Sequence, residues 1–232
     1  MLRSGHYVRK FSVVLRLPNC TWLRQQLAMA TKTAQSAFAR AQFAQKARPK
    51  KPQFPPGTPM LITFRLRDSL PPLSRAQAEE IQKIPGRERQ LRIEKLLDAA
   101  GSGPTWLNDD RIAEMVCDAI ERGDNEFHRY KLHAYVVMPN HVHMLVTPIH
   151  EVSAFMRSLK GVTAHHANVI FQRTGPFWES RSFDRYSRDQ ENFVKMQNYI
   201  AKNPLWAKLA AKPEQYRWSS AHRGIATANP PT

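Results

Sequence analysis

The chain has 232 residues, 42% hydrophobic content and a formal net charge of +16, enough to bury a core in one domain with an extension, or in two small ones. No apolar run approaches the roughly eighteen residues of a membrane span, and Cys20 and Cys117 make neither a disulfide framework nor a zinc knuckle, so a reducing, cytoplasmic setting is expected. The charge is lopsided: thirteen of the 35 Lys and Arg precede the first acidic residue, Asp68. That arm favours a polyanionic partner bound in a salt-sensitive way, and by itself selects neither DNA nor RNA.

Residues 1–59 read as a basic, mobile extension with apolar patches near its start, an Ala-rich stretch from Gln35 to Lys46 and a proline-broken linker at Arg48–Pro52. Met29 is an alternative start. The folded part is expected to begin at Met60, with a strand through Arg67 that puts Arg65 and Arg67 on one face. After a proline turn, Ser74 caps a helix to Ile84, Pro85-Gly86 breaks it, and a second helix runs from Arg87 to Ala100. Together they form a helical hairpin over 74–100, inserted between core elements. Asn108 or Asp109 then caps a helix over Arg111–Arg122, with Ile112, Val116 and Ile120 at helical spacing.

Phe127–Met138 and His141–Thr147 read as strands joined tightly through Pro139-Asn140. An amphipathic helix from Ser153 to about Gln172 follows, then a strand or irregular hairpin over Gly175–Tyr186. Asp189 caps a last helix that Asn203-Pro204 ends at about Lys202, and residues 221–232 read as a disordered tail. The fold class expected is α+β: a ferredoxin-like antiparallel sheet with helices on one face, plus the inserted helical hairpin.

Two places carry chemistry. Period-two alternation sets His141 and His143 on the same face of a strand, where two imidazoles can grip one divalent ion. The same pair is also compatible with strand histidines that hold no ligand. On the last helix Tyr199 and Asn203 share a face four residues apart. A phenol is a sluggish nucleophile at neutral pH and needs an electrophile polarised by a metal ion. Two histidines and an amide oxygen would suit Mg²⁺ or Mn²⁺ with positions left for phosphate oxygens. Spacing alone favours Tyr199 as a core aromatic and Asn203 as a helix C-cap.

The ordered set of motifs narrows this. His141-Val142-His143 after Tyr135-Val136-Val137-Met138-Pro139-Asn140, then Phe177-Trp178-Glu179, Phe183-Asp184-Arg185, Tyr199 through Asn203-Pro204, and Tyr216-Arg217-Trp218-Ser219-Ser220, together resemble the single-tyrosine HUH transposases of bacteria. The nearest branch is the REP-associated tyrosine transposases, and the resemblance covers about Met60 to Ser220. It implies a metal-dependent, site-specific single-strand DNA endonuclease and strand transferase. His141, His143 and Asn203 would hold Mg²⁺ or Mn²⁺, and Tyr199 would form a 5′-phosphotyrosine link. The implied partner is single-stranded or hairpin DNA of repetitive extragenic palindromes, met by a cytoplasmic, nucleoid-associated monomer or homodimer. The alternatives are a non-catalytic hairpin-binding derivative and, more remotely, an RNA-binding protein driven by its basic arm.

The family's Asn-Pro-Val-x-Ala-Gly-Leu reads here Asn203-Pro204-Leu205-Trp206-Ala207-Lys208-Leu209, which leaves the helix end open. Arg65, Arg67, Arg157, Lys160 and Arg173 are expected to meet DNA phosphates, and Trp178 either to stack on bases or, the safer reading, to pack in the core. His133, His165, His166, Glu179 and Asp184 are expected mainly in structural or ion-pair roles.

Overall fold

Residues 57–71, 73–98 and 103–225 are described by the computed structural model. Four strands alternate as the sequence pattern requires: β1 (Met60–Arg65), β2 (Tyr130–Val137), β3 (His141–Pro148) and β4 (Phe183–Tyr186). They form one antiparallel sheet in the order β2-β3-β1-β4, the ferredoxin-like arrangement. Five helices accompany it: α1 (Arg75–Lys83), α2 (Gly86–Asp98), α3 (Asp110–Asn125), α4 (Val152–Ile170) and α5 (Gln190–Trp206).

Local chemistry starts and stops these elements. At α1 the Ser74 hydroxyl accepts from Gln77 N–H while the Gln77 side chain accepts from Ser74 N–H, a reciprocal cap. Asp109 and Asp189 cap α3 and α5 through carboxylate oxygens. Met138 N–H donates to His141 C=O across the β2–β3 turn. In β2 a bulge between Leu132 and Ala134 contains His133, whose Nε2 lies 2.7 Å from Thr147 Oγ1. Burial there pushes the His133 imidazole down to about 4, so it is neutral.

The main core lies between the sheet and the α3–α4 pair. Met60, Ile62, Phe64, Val142, Met144 and Val146 meet Ile112, Val116, Ile120, Phe155 and Leu159 there. Gly123 is required in that layer, because a Cβ would overlap the Tyr130 hydroxyl, which donates to Ile120 C=O at 2.7 Å.

The α+β antiparallel class stands, and α3 and α4 share one face as expected. The opposite face is also covered: Phe193, Met196 and Ile200 of α5 pack on Leu61, Ala134, Val136, Met138 and Leu145. A four-stranded sheet with apolar residues at both sets of alternating positions has two faces to bury.

Two further expectations are corrected. The helix with Tyr199 does not stop at Lys202; α5 carries Pro204 inside it and continues to Trp206, since burial of Asn203 and Pro204 overrides the local preference. It then closes with Lys208 N–H donating to Leu205 C=O and Leu209 N–H to Pro204 C=O, the left-handed terminus in which Lys208 has φ 59°. The family's glycine position is therefore filled by a lysine held at positive φ. The tail is ordered through residue 225: Arg223 pairs with Glu114, Asp118 and Glu121 of α3. Just before it, Val137 N–H donates to Trp218 C=O and Ser220 N–H to Tyr135 C=O, closing the β2 edge. The 1–59 extension and the remainder of the 221–232 tail fall, apart from residues 57–59, outside the described residues.

Candidate active site

β3 alternation brings His141 and His143 to the α5 face, and both are buried, at 1% and 0% exposure. Their Nε2 atoms face each other at 3.0 Å. Burial pushes His141 down to about 3 and holds His143 well below its ordinary value, with His141 and Arg185 adding to the effect. Both imidazoles are thus neutral at physiological pH, the form that ligates metals.

The outer nitrogens are anchored. His141 Nδ1 is 2.7 Å from Asn140 Oδ1, an oxygen that only accepts, so Nδ1 carries the proton. Asn140 in turn donates through Nδ2 to Leu97 C=O of α2 at 3.0 Å. His143 Nδ1 is 2.8 Å from the hydroxyl of Thr63, its cross-strand partner on β1. With His141 protonated on Nδ1, His143 donates from Nε2 to His141 and accepts from Thr63 at Nδ1. A cation between the two Nε2 atoms would require His143 to shift its proton to Nδ1. The Thr63 hydroxyl serves either state, because it both donates and accepts.

Tyr199 comes from the facing wall. Its ring sits edge-on to His143, with centroids 5.2 Å apart. One turn further along α5, Asn203 is 1% exposed and its Oδ1 has no hydrogen-bond partner. An orphaned buried amide oxygen is costly unless something else ligates it. Two neutral, convergent imidazole nitrogens and an uncommitted carbonyl oxygen fit a small divalent cation. Nitrogens about 3 Å apart match adjacent ligands lying ~2.1 Å from an octahedral ion. Among the described residues no group of three or more His, Cys, Asp or Glu suits a metal, so any such site must draw on Asn203 or water.

One partner was not anticipated. The Tyr199 hydroxyl donates to Glu94 Oε2 of α2 at 2.6 Å, and Gln90 Nε2 donates to Glu94 Oε1 at 2.9 Å. The sequence signal available was the Gln90–Glu94 spacing on an otherwise exposed amphipathic helix, which does not identify a partner 105 residues away.

The expected DNA contacts divide. Arg157 is exposed on α4. Arg65 and Arg67 both reach Glu179, at 3.4 and 3.5 Å; β1 ends at Arg65, so the pair meets through a shared carboxylate instead of a shared strand face. Glu179 accordingly takes the expected ion-pair role, with these two arginines as its partners. Lys160 donates to Glu179 C=O, Arg181 C=O and Ser182 Oγ, tying the 179–182 loop to α4. Arg173 stacks on Trp106 with its guanidinium 3.9 Å from the ring. For Trp178 the base-stacking reading is corrected: it is 6% exposed, packs edge-on to Phe64, and donates to Thr163 Oγ1, leaving no ring face for a base. His165 and His166 are exposed on α4. A cavity of about 400 Å³ between α3 and α4 contains none of the site residues.

Residues 105–203 match the family model described as Transposase IS200 like. That segment is similar to IS200-like transposases. It contains His141, His143, Tyr199 and Asn203, and excludes β1 and the α1–α2 hairpin with Glu94. Among solved structures, this chain is similar to a REP-associated tyrosine transposase bound to a REP hairpin, with 15% identity, 80% of this chain and 91% of that chain covered, and a TM-score of 0.50. A protein named as a transposase from Deinococcus radiodurans R1 aligns at 17% identity over 68% of this chain and 97% of its own, with a TM-score of 0.30. No curated protein matches the sequence.

Proposed function

We propose that this protein is a metal-dependent, site-specific single-strand DNA endonuclease and strand transferase. It acts on hairpin DNA of the repetitive-palindrome class through a 5′-phosphotyrosine intermediate. The observation that carries the reading is the convergence of the His141 and His143 Nε2 atoms beside the Tyr199 ring, with the unpartnered Asn203 Oδ1 one helical turn away. The match of residues 105–203 to the family model described as Transposase IS200 like supports it independently.

His141, His143 and Asn203 would hold Mg²⁺ or Mn²⁺. Bound there, the ion supplies Lewis-acid polarisation of a phosphodiester. Tyr199 Oη attacks the phosphorus, the bond to the 3′ oxygen breaks, and a 3′-hydroxyl is released. Because the phosphoester bond is conserved on tyrosine, a second 3′-hydroxyl can reverse the attack and join a different end. Asn140 and Thr63 hold the imidazole planes so that the Nε2 atoms converge. Exposed Arg157 and the basic N-terminal arm draw in the DNA backbone. No helix among the described residues is long and apolar enough to cross a membrane, in keeping with a partner met in the cytoplasm.

The test uses the full chain and labelled oligonucleotides carrying the palindromes that flank its gene, with Mn²⁺ or Mg²⁺. Wild type is expected to cut and to leave a covalent 5′ adduct, and Tyr199→Phe to bind the hairpin without cutting. Absence of cleavage by wild type, with binding intact, would convert the reading to a non-catalytic hairpin binder. Equal cutting by the Phe variant would remove Tyr199 as nucleophile.

A further inference from the structure

The Tyr199 phenol must lose a proton when its oxygen attacks phosphorus, so a group able to take that proton is needed at the oxygen. Glu94 does touch that oxygen: its Oε2 accepts from Tyr199 Oη at 2.6 Å. The carboxylate is well held. It is 6% exposed, and its other oxygen accepts from Gln90 at 2.9 Å. It lines a small cleft with Leu61, Phe183, Arg185 and Tyr199. Its helix is docked by a second link, Asn140 Nδ2 to Leu97 C=O, which joins α2 to the residue that anchors His141.

We infer that Glu94, in the inserted α1–α2 hairpin, is the catalytic base and acid for Tyr199. This rests on the strand-transferase reading above. In cleavage the phenol proton passes to Glu94 Oε2 as the Tyr199 Oη–phosphorus bond forms. The electron pair of the breaking phosphorus–oxygen bond goes to the departing 3′ oxygen, which takes its proton from water. In strand transfer an incoming 3′-hydroxyl gives its proton to water as its oxygen bonds to the phosphorus of the phosphotyrosine, the phosphorus–Tyr199 Oη bond breaks, and Glu94 returns its proton to the leaving phenol oxygen. One residue alternating between base and acid on one oxygen follows from microscopic reversibility.

The environment suits both halves. An ordinary carboxylate is far less basic than a phenolate, and burial holds the Glu94 carboxyl above its usual range, narrowing that gap. The hydrogen bonds from Tyr199 of α5 and Gln90 of α2, and the charge of Arg185 on β4, pull the other way without cancelling the rise. Glu94 must be ionised to accept the proton, so its raised value means that the competent form is lost at higher pH than for an exposed glutamate.

The experiment compares wild type, Glu94→Gln and Glu94→Asp in single-turnover cleavage of the flanking-palindrome oligonucleotide with Mn²⁺, from pH 5 to 9, alongside hairpin affinity. The Gln variant is expected to bind the hairpin like wild type and to cut about 10²-fold more slowly or worse. Its rate should keep climbing with pH where wild type has levelled off, and Asp should recover part of the loss. A Gln variant that cuts at the wild-type rate with the same pH profile overturns the proposal. So does one that cuts faster, which would make the contact a clasp restraining Tyr199. If both variants lose hairpin binding in step with cleavage, Glu94 is a structural tie of α2 and the proposal fails. Failure of wild type itself to form an adduct overturns the strand-transferase reading, and Glu94's role with it.

Discussion

On one side of the sheet Met60, Ile62, Phe64, Val142, Met144 and Val146 meet α3 and α4 in a continuous apolar layer. On the other, Thr63, His141 and His143 occupy the intervening positions of the same two strands, all buried. Thr63 lies between Ile62 and Phe64, and His143 between Val142 and Met144, apolar neighbours on the opposite side of the strand. The apolar side holds the backbone rigid, and the polar side can therefore keep two imidazoles 3.0 Å apart and an amide oxygen without a partner. Buried polar groups in that state are costly, and a site of this kind persists only on a frame stabilised elsewhere.

Substitutions on the two sides should separate stability from chemistry. The largest expected effect comes from a matched pair. Phe64→Ala removes a ring 1% exposed and should cost about 3–5 kcal/mol in denaturant unfolding. His141→Ala should lower metal-dependent cleavage by more than about 10²-fold, with hairpin affinity largely kept because binding rests on the basic surface. A loss of binding in proportion to cleavage would break this division between the faces.

A smaller, sharper probe is Thr63→Val. A valine cannot accept from His143 Nδ1–H, the proton position that a ligating Nε2 requires, so metal affinity measured by titration should drop about 10–100-fold. The fold should be nearly unaffected, since both residues favour strands. An unchanged affinity would separate Thr63 from the tautomer of His143. The smallest effect is expected at the end of α5, where Lys208 sits at φ 59°. Lys208→Gly relieves ~1–2 kcal/mol of left-handed strain and gives back ~0.5–1 in chain entropy, a net gain of about 1 kcal/mol or less by thermal unfolding. A destabilisation there would mean that the lysine side chain makes a compensating contact.

How much was readable in advance depends on sequence separation. That His141 and His143 share a face is a consequence of strand geometry two residues long, and that Tyr199 and Asn203 share one follows from a single helical turn. The capping residues Ser74, Asp109 and Asp189 were legible for the same local reason. Trp178 was open between base stacking and core packing, because its sequence context fits both, and the packing of β1 against the 177–179 segment buries it. Pro204 was read as a stop because its local preference is strong, and burial against the sheet overrode it.

Composition, alternation and ordered motifs by themselves determined an antiparallel α+β domain with a histidine pair on one strand face and a tyrosine helix to meet it. The tertiary structure alone decided that α5 covers a second face of the sheet, that Arg65 and Arg67 share Glu179, and that Glu94 closes on Tyr199. The physical reason is the same in each case. Local periodicity says which side of its own element a residue occupies, while its partner is chosen by the packing of elements brought together from distant parts of the chain.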